Sequence, residues 1–435
     1  MTDVLQRGAM RLADPATAGR RVRRRLAAER RFRLYGLLAA GSAALFLVIL
    51  LGTIVLQGVG AFREVQVRLD VVVDGAVIDP QGTRDPKVLQ AADYGALVRE
   101  SIRSLFPDAT SRADRRDLGR ILSSGADLVV RDAVLSDPSV IGTTLSIWVP
   151  ASDDVDQFVK GRIPRDVPES DRQISDKQIG WIDALSSQDR IRSAFNTTLF
   201  TAGDSREPEL AGVWGAIVGS FFTMLITLVI SFPIGVATAI YLEEFAPKNK
   251  WTDLIEVNIN NLAAVPSIVF GLLGLAIFLG FFGLPRSAPL VGGLVLSLMT
   301  MPIIIIAGRA ALKSVPPSIR EAARGIGASP LQVVFHHVLP LAMPGMLTGT
   351  IIGMAHALGE TAPLIMIGMV AFVVDIPSGI TDASTVLPVQ IFLWADSPER
   401  AFVERTAAAI MILLAFLVAM NMVAVYLRQR FEVKW

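Results

Sequence analysis

The chain has no cysteine among its 435 residues. This excludes disulfides, thiolate zinc sites, iron–sulfur clusters and a thiol nucleophile. Histidine is nearly as scarce: His336, His337 and His356 are the full set. That is too few for an imidazole metal cage, and no metal or cofactor is expected. Charge is thin as well. Lys, Arg, Asp and Glu make up 19% of the chain, where a soluble domain carries about 25%. The 41 basic and 40 acidic residues nearly cancel, leaving +1, so nucleic acid is not an expected partner. No G-x-x-x-x-G-K-[ST] occurs, so the chain has no P-loop in which to cradle nucleotide phosphates.

Apolar residues are abundant, at 52% of the chain with a mean hydropathy of +0.51. They are concentrated in charge-free runs at Leu34–Phe62, Leu210–Leu242, Val257–Pro285, Ser287–Gly308 and Thr406–Leu427. A sixth run, Leu341–Val374, is interrupted only by Glu360 and contains His356. A membrane-spanning helix needs about 20 apolar residues, and each run meets that length. The expected fold is an all-α polytopic membrane protein of six transmembrane helices. Within it, Pro233, Pro266 and Gly271 mark expected kinks or close helix contacts.

Basic residues mark the cytoplasmic side. Arg20, Arg21, Arg23, Arg24, Arg25, Arg30, Arg31 and Arg33 precede the first run, which places the N-terminus inside and next to membrane lipid. The charge-free run is too long for a signal peptide core. Six spans return the C-terminus inside, in agreement with Arg428, Arg430 and Lys434 in the tail. The expected divisions are a basic cytoplasmic segment at 1–33, a first span at 34–62, an outer region at 63–209 and a core of five spans at 210–435. The 147 residues of 63–209 hold 25 acids and 19 bases, enough chain to bury a core of their own.

In that outer region, Glu64–Asp74 alternates apolar and polar residues and predicts a strand. Val77–Gly82 predicts a turn. Leu97, Val98, Ile102 and Leu105 have helical spacing within Tyr94–Phe106. Ile179, Ile182, Leu185, Ile191, Phe195 and Leu199 predict one or two further helices. The region is therefore expected to be an inserted α+β extracytoplasmic domain. Asn196-Thr197-Thr198 matches a glycosylation acceptor by sequence alone.

The segment 314–340 predicts two helices joined by a break. Ser314 is placed to cap the first, with prolines in its opening turn. Gly325 and Gly327 suit a helix end that needs positive φ. Ser329-Pro330 supplies a cap and first turn for the second helix. Glu321-Ala322-Ala323 is followed after three residues by Gly327, and after nine more and two variable positions by Leu339-Pro340. This resembles the EAA signature of ATP-binding-cassette importer permeases, with His337 where the family usually has an aliphatic residue. The resemblance implies that a separate ATPase docks on this loop.

Glu360 is an acid within an apolar run, and such a residue is expensive in lipid unless it faces a bundle interior or a pathway. His356 lies one helical turn earlier. The stretch Gly359-Glu360-Thr361-Ala362-Pro363 resembles the A-type permease subunits of phosphate-specific importers. Asn260–Leu272, Ala239–Ala246 and Leu387–Trp394 resemble other parts of that family. The resemblance runs from Gly212 to the C-terminus and weakly over the first span. It departs at His356, where the family commonly has Arg, and at the insert 63–209.

The resemblance implies a type I importer permease in the bacterial inner membrane. Its implied partners are a second related permease, an ATPase dimer and an extracytoplasmic phosphate-binding protein. It implies a non-catalytic subunit that carries phosphate inward by alternating access. Glu360, Thr361, His356 and Arg309 are the expected pathway residues. Ionised Glu360 would accept the proton of hydrogen phosphate while Arg309 or a partner's cation balances its charge. Alternatively, Glu360 would close the gate by pairing with a cation. Another oxyanion, phosphonate or sulfate, and a membrane phosphate sensor remain as alternatives.

Overall fold

A computed structural model describes residues 15–370 and 372–431, with side chains between Arg25 and Arg430. Lys434 of the basic tail, and the side chains of Arg20, Arg21, Arg23 and Arg24, lie outside the described residues.

The chain divides into two compact units between Leu56 and Gln57. The first holds α1 (Pro15–Gly58) as far as Leu56, and Gln57 and Gly58 at the end of that helix belong to the second. Leu45, Phe46, Leu50 and Leu56 along it are exposed. From Leu34 onward the helix is free of charge, and such a stretch suits a lipid environment, where every backbone group is satisfied internally.

The second unit opens with strand β1 (Arg63–Val72), whose sequence alternates as predicted. Val65, Val67, Leu69 and Val71 are all almost completely buried, because successive side chains of a strand point to opposite faces. β1 is the centre of a three-stranded antiparallel sheet, flanked by β2 (Thr144–Pro150) and β3 (Ile191–Phe195). Val67 faces Val149 on one side and Ile191 on the other. The buried face packs against Leu97, Val98 and Ile102 of α2 (Tyr94–Leu105), and against Val130 and Val134. The polar face carries Arg68 and Arg192 over the Trp148 ring. α3 (Arg112–Gly119), α4 (Asp153–Val159) and α5 (Asp176–Ser187) complete the surroundings used below.

Two expectations in this region change. Val77–Gly82 begins inside a short helix, Gly75–Ile78, and turns only afterwards, with Gly82 at φ +65°. Ile191 and Phe195 belong to a strand, not a helix. Their separation by four fits a helical face, but β-branching and pairing to β1 decide the local structure. Asn196 is completely buried: its Nδ2 donates to the Ala61 carbonyl and its Oδ1 accepts from the Leu199 N–H. This side chain is a structural clamp and is not free to carry a glycan.

The helices that follow are α6 (Trp214–Ile240), α7 (Lys250–Ala263), α8 (Ser267–Gly274), α9 (Pro289–Ser314), α10 (Pro317–Gly325), α11 (Leu339–Gly359), α12 (Leu387–Ala395) and α13 (Ala401–Phe431). Five helices are individually long and apolar enough to cross a membrane, and six spans result if the bent pair α7 and Ser267–Phe281 counts as one. The third span is therefore not straight. It bends by 101° at Ala264-Val265-Pro266, where proline cannot donate the helical hydrogen bond and restricts the residue before it. Pro233, by contrast, stays within the continuous helix α6.

Small residues set the helix spacing. Gly345 packs on Ala311 and Gly349 on Ala307, and Gly353 lies near Ile303. These three contacts give α9 and α11 a single antiparallel register. A Cβ at Gly349 would overlap the Ala307 methyl. Between α6 and α9, Thr227, Ser231, Ser297 and Thr300 are buried, and each hydroxyl donates to a carbonyl one turn earlier. This removes the penalty of an unsatisfied hydroxyl in an apolar bundle.

Candidate functional site

The first part of the site is the loop after α9. Ser314 does not cap α10. It ends α9, its hydroxyl donates to the Ala311 carbonyl, and α10 starts from Pro316 without a side-chain cap. Two prolines make a cap unnecessary there, since Pro317 has no N–H to satisfy. The break follows the sequence: Gly327 sits at φ +90°, and Ser329 and Gln332 form a reciprocal capping box. Gly325 is simply the last residue of α10 and needs no positive φ.

Ala323 is buried against Ala239, Leu312, Val315, Val334 and Val338, whereas Glu321 and Ala322 are exposed. Gly327 is exposed, and Leu339 and Pro340 are half-buried at the start of α11. Ile326 is 82% exposed, and Leu331 and Phe335 also face outward. The loop thus presents an acid and several apolar side chains, while Val315, Ala323, Val333, Val334 and Val338 are buried in one cluster with residues of α6, α9 and α11.

Arg320 was not singled out in the sequence, yet it fixes this loop. Its Nη2 donates to Glu244 Oε1 at 2.7 Å and to the Leu312 carbonyl at 2.9 Å, and its Nη1 donates to the Val315 carbonyl at 2.7 Å. The two carbonyls terminate α9, where unpaired acceptors and the helix dipole favour a cation. An arginine three residues after the pair Pro316-Pro317 was the available signal.

The second part is at the other end of α11. The apolar run is not one helix through Glu360. α11 stops at Gly359, and Glu360 leaves it with φ −79° and ψ 123°. A short helix, Ala362–Met366, follows, and the Thr361 carbonyl accepts from the N–H groups of Leu364 and Ile365. Proline at 363 suits this restart and not a continuing helix. Pro363 packs so closely on α8 that a Cβ at Gly271 would come within 2.7 Å of its Cα. His356 Nε2 lies 3.2 Å from Glu360 Oε1. The Glu360 side chain is 18% exposed and that of His356 is 54% exposed. The pair therefore combines a largely enclosed carboxylate with an accessible imidazole.

Arg309 does not join this pair. Its Nη1 lies 2.7 Å from Glu256 and its Nε 3.4 Å from Glu243. In the α9–α11 register, Glu360 falls opposite the level of Leu296. Arg309 is then about 13 residues, or ~20 Å, further along the axis at 1.5 Å per residue. Arg309 ties α7 and the turn after α6 to α9, and among the described residues the ion-pair partner at Glu360 is His356.

The sequence also gave no warning of a polar cluster at the start of α13. Lys160 Nζ lies 2.6 Å from Asp156 Oδ2 and 3.5 Å from Glu404 Oε1. Gln157 Nε2 donates to Glu404 Oε2 at 2.6 Å, the Val65 N–H donates to Asp156 at 2.8 Å, and buried Arg405 donates to the Ala211 carbonyl at 3.0 Å. Burial pushes the carboxyls of Asp156 and Glu64 above their usual range, opposed by Lys160 and, at Glu64, by Gln66 and Arg405. These contacts join α4 and β1 to the first turn of the final helix. An acid–base dipeptide at the mouth of an apolar helix was the only visible signal.

Among the described residues, no group of three or more His, Asp or Glu side chains is arranged to hold a metal ion.

Residues 231–433 match the family model of the binding-protein-dependent transport system inner membrane component, and residues 19–169 match a domain of unknown function. The phosphate transport system permease protein PstA 2 of Mycobacterium bovis is 33% identical over 210 residues, covering 47% of this chain and 68% of that protein. PstA of Haemophilus influenzae is 28% identical, covering 52% of this chain and 79% of that one. The probable ABC transporter permease YqgI of Bacillus subtilis is 34% identical over 155 residues, covering 35% of this chain and 52% of its own length. Among solved structures, the inward-facing MetNI methionine ABC transporter matches with a TM-score of 0.38 at 18% identity, over 51% of this chain and 95% of that one. The chain belongs to the binding-protein-dependent transport system inner membrane components and, within that family, is a PstA-like permease.

Proposed function

We propose that this chain is the membrane permease subunit of an ATP-driven importer of inorganic phosphate. The observation that carries the reading is the Glu360–His356 pair at the broken end of α11, in a stretch whose relatives are named phosphate transport permeases. An ionised Glu360 accepts the proton that hydrogen phosphate carries and sulfate lacks. His356, 3.2 Å away, provides the compensating N–H without a permanent charge. Thr361 lies at the same break as a further hydroxyl donor.

In this reading, residues 314–340 receive a separate ATPase through Glu321, Ala322, Ala323 and Gly327. Leu339 and Pro340 pass its motion to α11. A second related permease completes the pathway, and an extracytoplasmic phosphate-binding protein delivers the cargo. Both termini are cytoplasmic, the membrane is the bacterial inner membrane, and 63–209 is an extracytoplasmic α+β domain. The three-stranded sheet, with its own buried core next to a mildly acidic composition, supports that placement.

The test is labelled phosphate uptake at micromolar phosphate by cells lacking the chain, with the parent or Glu360→Gln restored. Uptake restored by the parent and competed by phosphate but not by excess sulfate or phosphonate is expected, with loss of uptake or of sulfate exclusion in Glu360→Gln. Competition by another oxyanion would withdraw phosphate as cargo. Full uptake with sulfate exclusion in Glu360→Gln would remove Glu360 as the proton acceptor.

A further inference from the structure

A cavity of about 1350 Å³ lies in the 63–209 region and reaches the loop before α13. Its walls are oppositely charged. α2 and α3 present Arg99, Arg103, Arg112, Arg115, Arg116 and Arg120. The rest of the lining presents Asp127, Asp153, Asp154, Glu207, Glu209 and Glu399.

The charges on each wall are poorly neutralised within that wall. Arg116 and Arg120 share one carboxylate, Asp117, each at 3.8 Å. Arg103 and Arg112 have no ion pair among the described residues. On the acidic side, burial pushes Glu209 up to about 7, with Asp153 and Glu207 adding to the effect. Burial and then Asp153 push Asp154 up to about 6, and Arg120 lowers it in part. Arg120 is thus near Asp154, and the two walls meet at this corner.

A guanidinium offers parallel N–H donors to a tetrahedral oxyanion. A carboxylate repels an oxyanion unless that anion brings a proton for it to accept, or unless the carboxyl is itself protonated. Guanidinium groups with no close ion pair, set beside such carboxyls, therefore suit a phosphate group that retains a proton and disfavour sulfate.

We propose that this cavity is a second oxyanion site, in which Arg116 and Arg120 hold a protonated phosphate group against Asp153 and Asp154. It rests on the reading of the chain as a phosphate importer subunit and places a binding step ahead of the membrane pathway. The ligand is inorganic phosphate or the phosphate head of a monoester, which share this chemistry.

The experiment uses the full chain in lipid nanodiscs and follows the 31P line width of inorganic phosphate during titration. The parent is expected to broaden the line saturably, and Glu360→Gln, which removes the proton acceptor of the membrane pathway, is expected to keep the part of the broadening that the cavity causes. Arg116→Gln/Arg120→Gln is expected to weaken binding by at least about tenfold, as loss of charged hydrogen bonds does, with its thermal melt unchanged. Arg112→Gln, at an exposed lining residue, is expected to give a smaller loss and guards against a folding defect in the double variant. Sulfate should not compete. Glycerol 3-phosphate competing better than phosphate would assign the site to monoesters, and the reverse would assign it to the free ion.

Unchanged binding in the double variant, or sulfate competing as well as phosphate, overturns the site. Phosphate uptake by the parent complex without saturable broadening overturns this inference and leaves the proposed function intact. Saturable broadening without phosphate uptake overturns the proposed function and leaves the site intact.

Discussion

Replacing Lys160 by methionine should loosen the joint between the 63–209 region and the last helix. Lys160 and Arg405 face Glu64, Asp156 and Glu404 in one cluster. The native cluster therefore has three acids and two bases, and the variant has three acids around one base. The side chains of Lys160, Asp156 and Glu404 are only 15%, 14% and 7% exposed, so water cannot replace the lost ammonium. Breaking a buried pair by removing one partner costs about 3–5 kcal/mol. Arg405 remains and some solvent reaches Lys160, which puts the loss near the lower limit, ~3 kcal/mol. For a chain of 435 residues that is a fall in Tm of about 3 °C.

The assay is thermal unfolding of the full chain in nanodiscs, read by tryptophan fluorescence. Trp394 makes it sensitive to this half of the molecule, because it is buried and its indole N–H donates to Asp204. Lys160→Met/Asp156→Asn restores the native charge balance and keeps an oxygen for the Val65 N–H. It should recover at least half of the lost stability, a coupling that only interacting neighbours show. A single variant that melts with the parent, or a double variant in which the two losses simply add, refutes the joint.

Two further outcomes are expected. Gly349→Leu should force α9 and α11 apart at Ala307, destabilise the chain by about 1–3 kcal/mol and abolish uptake, whereas Gly359→Ala, with open space around its Cβ position, should do neither; thermal melts and phosphate uptake together check the pair. Glu209 has a folded pKa of about 7, above its ordinary value of 4.5, so the folded state holds the proton more tightly. Its contribution is complete below about pH 4.5 and is lost as pH rises through 7, and Glu209→Gln should flatten the pH dependence of Tm between those limits.

The sequence was most legible where local chemistry and position agree. Gly327 with Ser329-Pro330 encodes a break and a restart, and the structure has both. The alternation of Glu64–Asp74 encodes a strand with one buried face. Legibility failed where the decisive partner is distant in the chain. Hydropathy runs unbroken through Leu341–Val374, so only the packing of Pro363 on Gly271 reveals that α11 stops before Glu360. Pro266 signals a break, yet the 101° bend depends on how α7 and α8 pack. Arg309 and Glu360 are both charges in apolar surroundings, and nothing local shows that α9 and α11 hold them about 20 Å apart. Lys160 and Glu404 are separated by more than two hundred residues of sequence, and no periodicity connects them.

The cluster around Glu404 has a practical consequence. Because it fastens the first turn of α13 to α4 and β1, any tilt of that helix must carry the sheet with it, so that a displacement inside the bilayer is magnified at the far edge of the 63–209 region. A chain without cysteine accepts one there without competing thiols. A single spin label at Ser170, exposed in the 63–209 region, would then act as the pointer of a gauge whose pivot is Lys160.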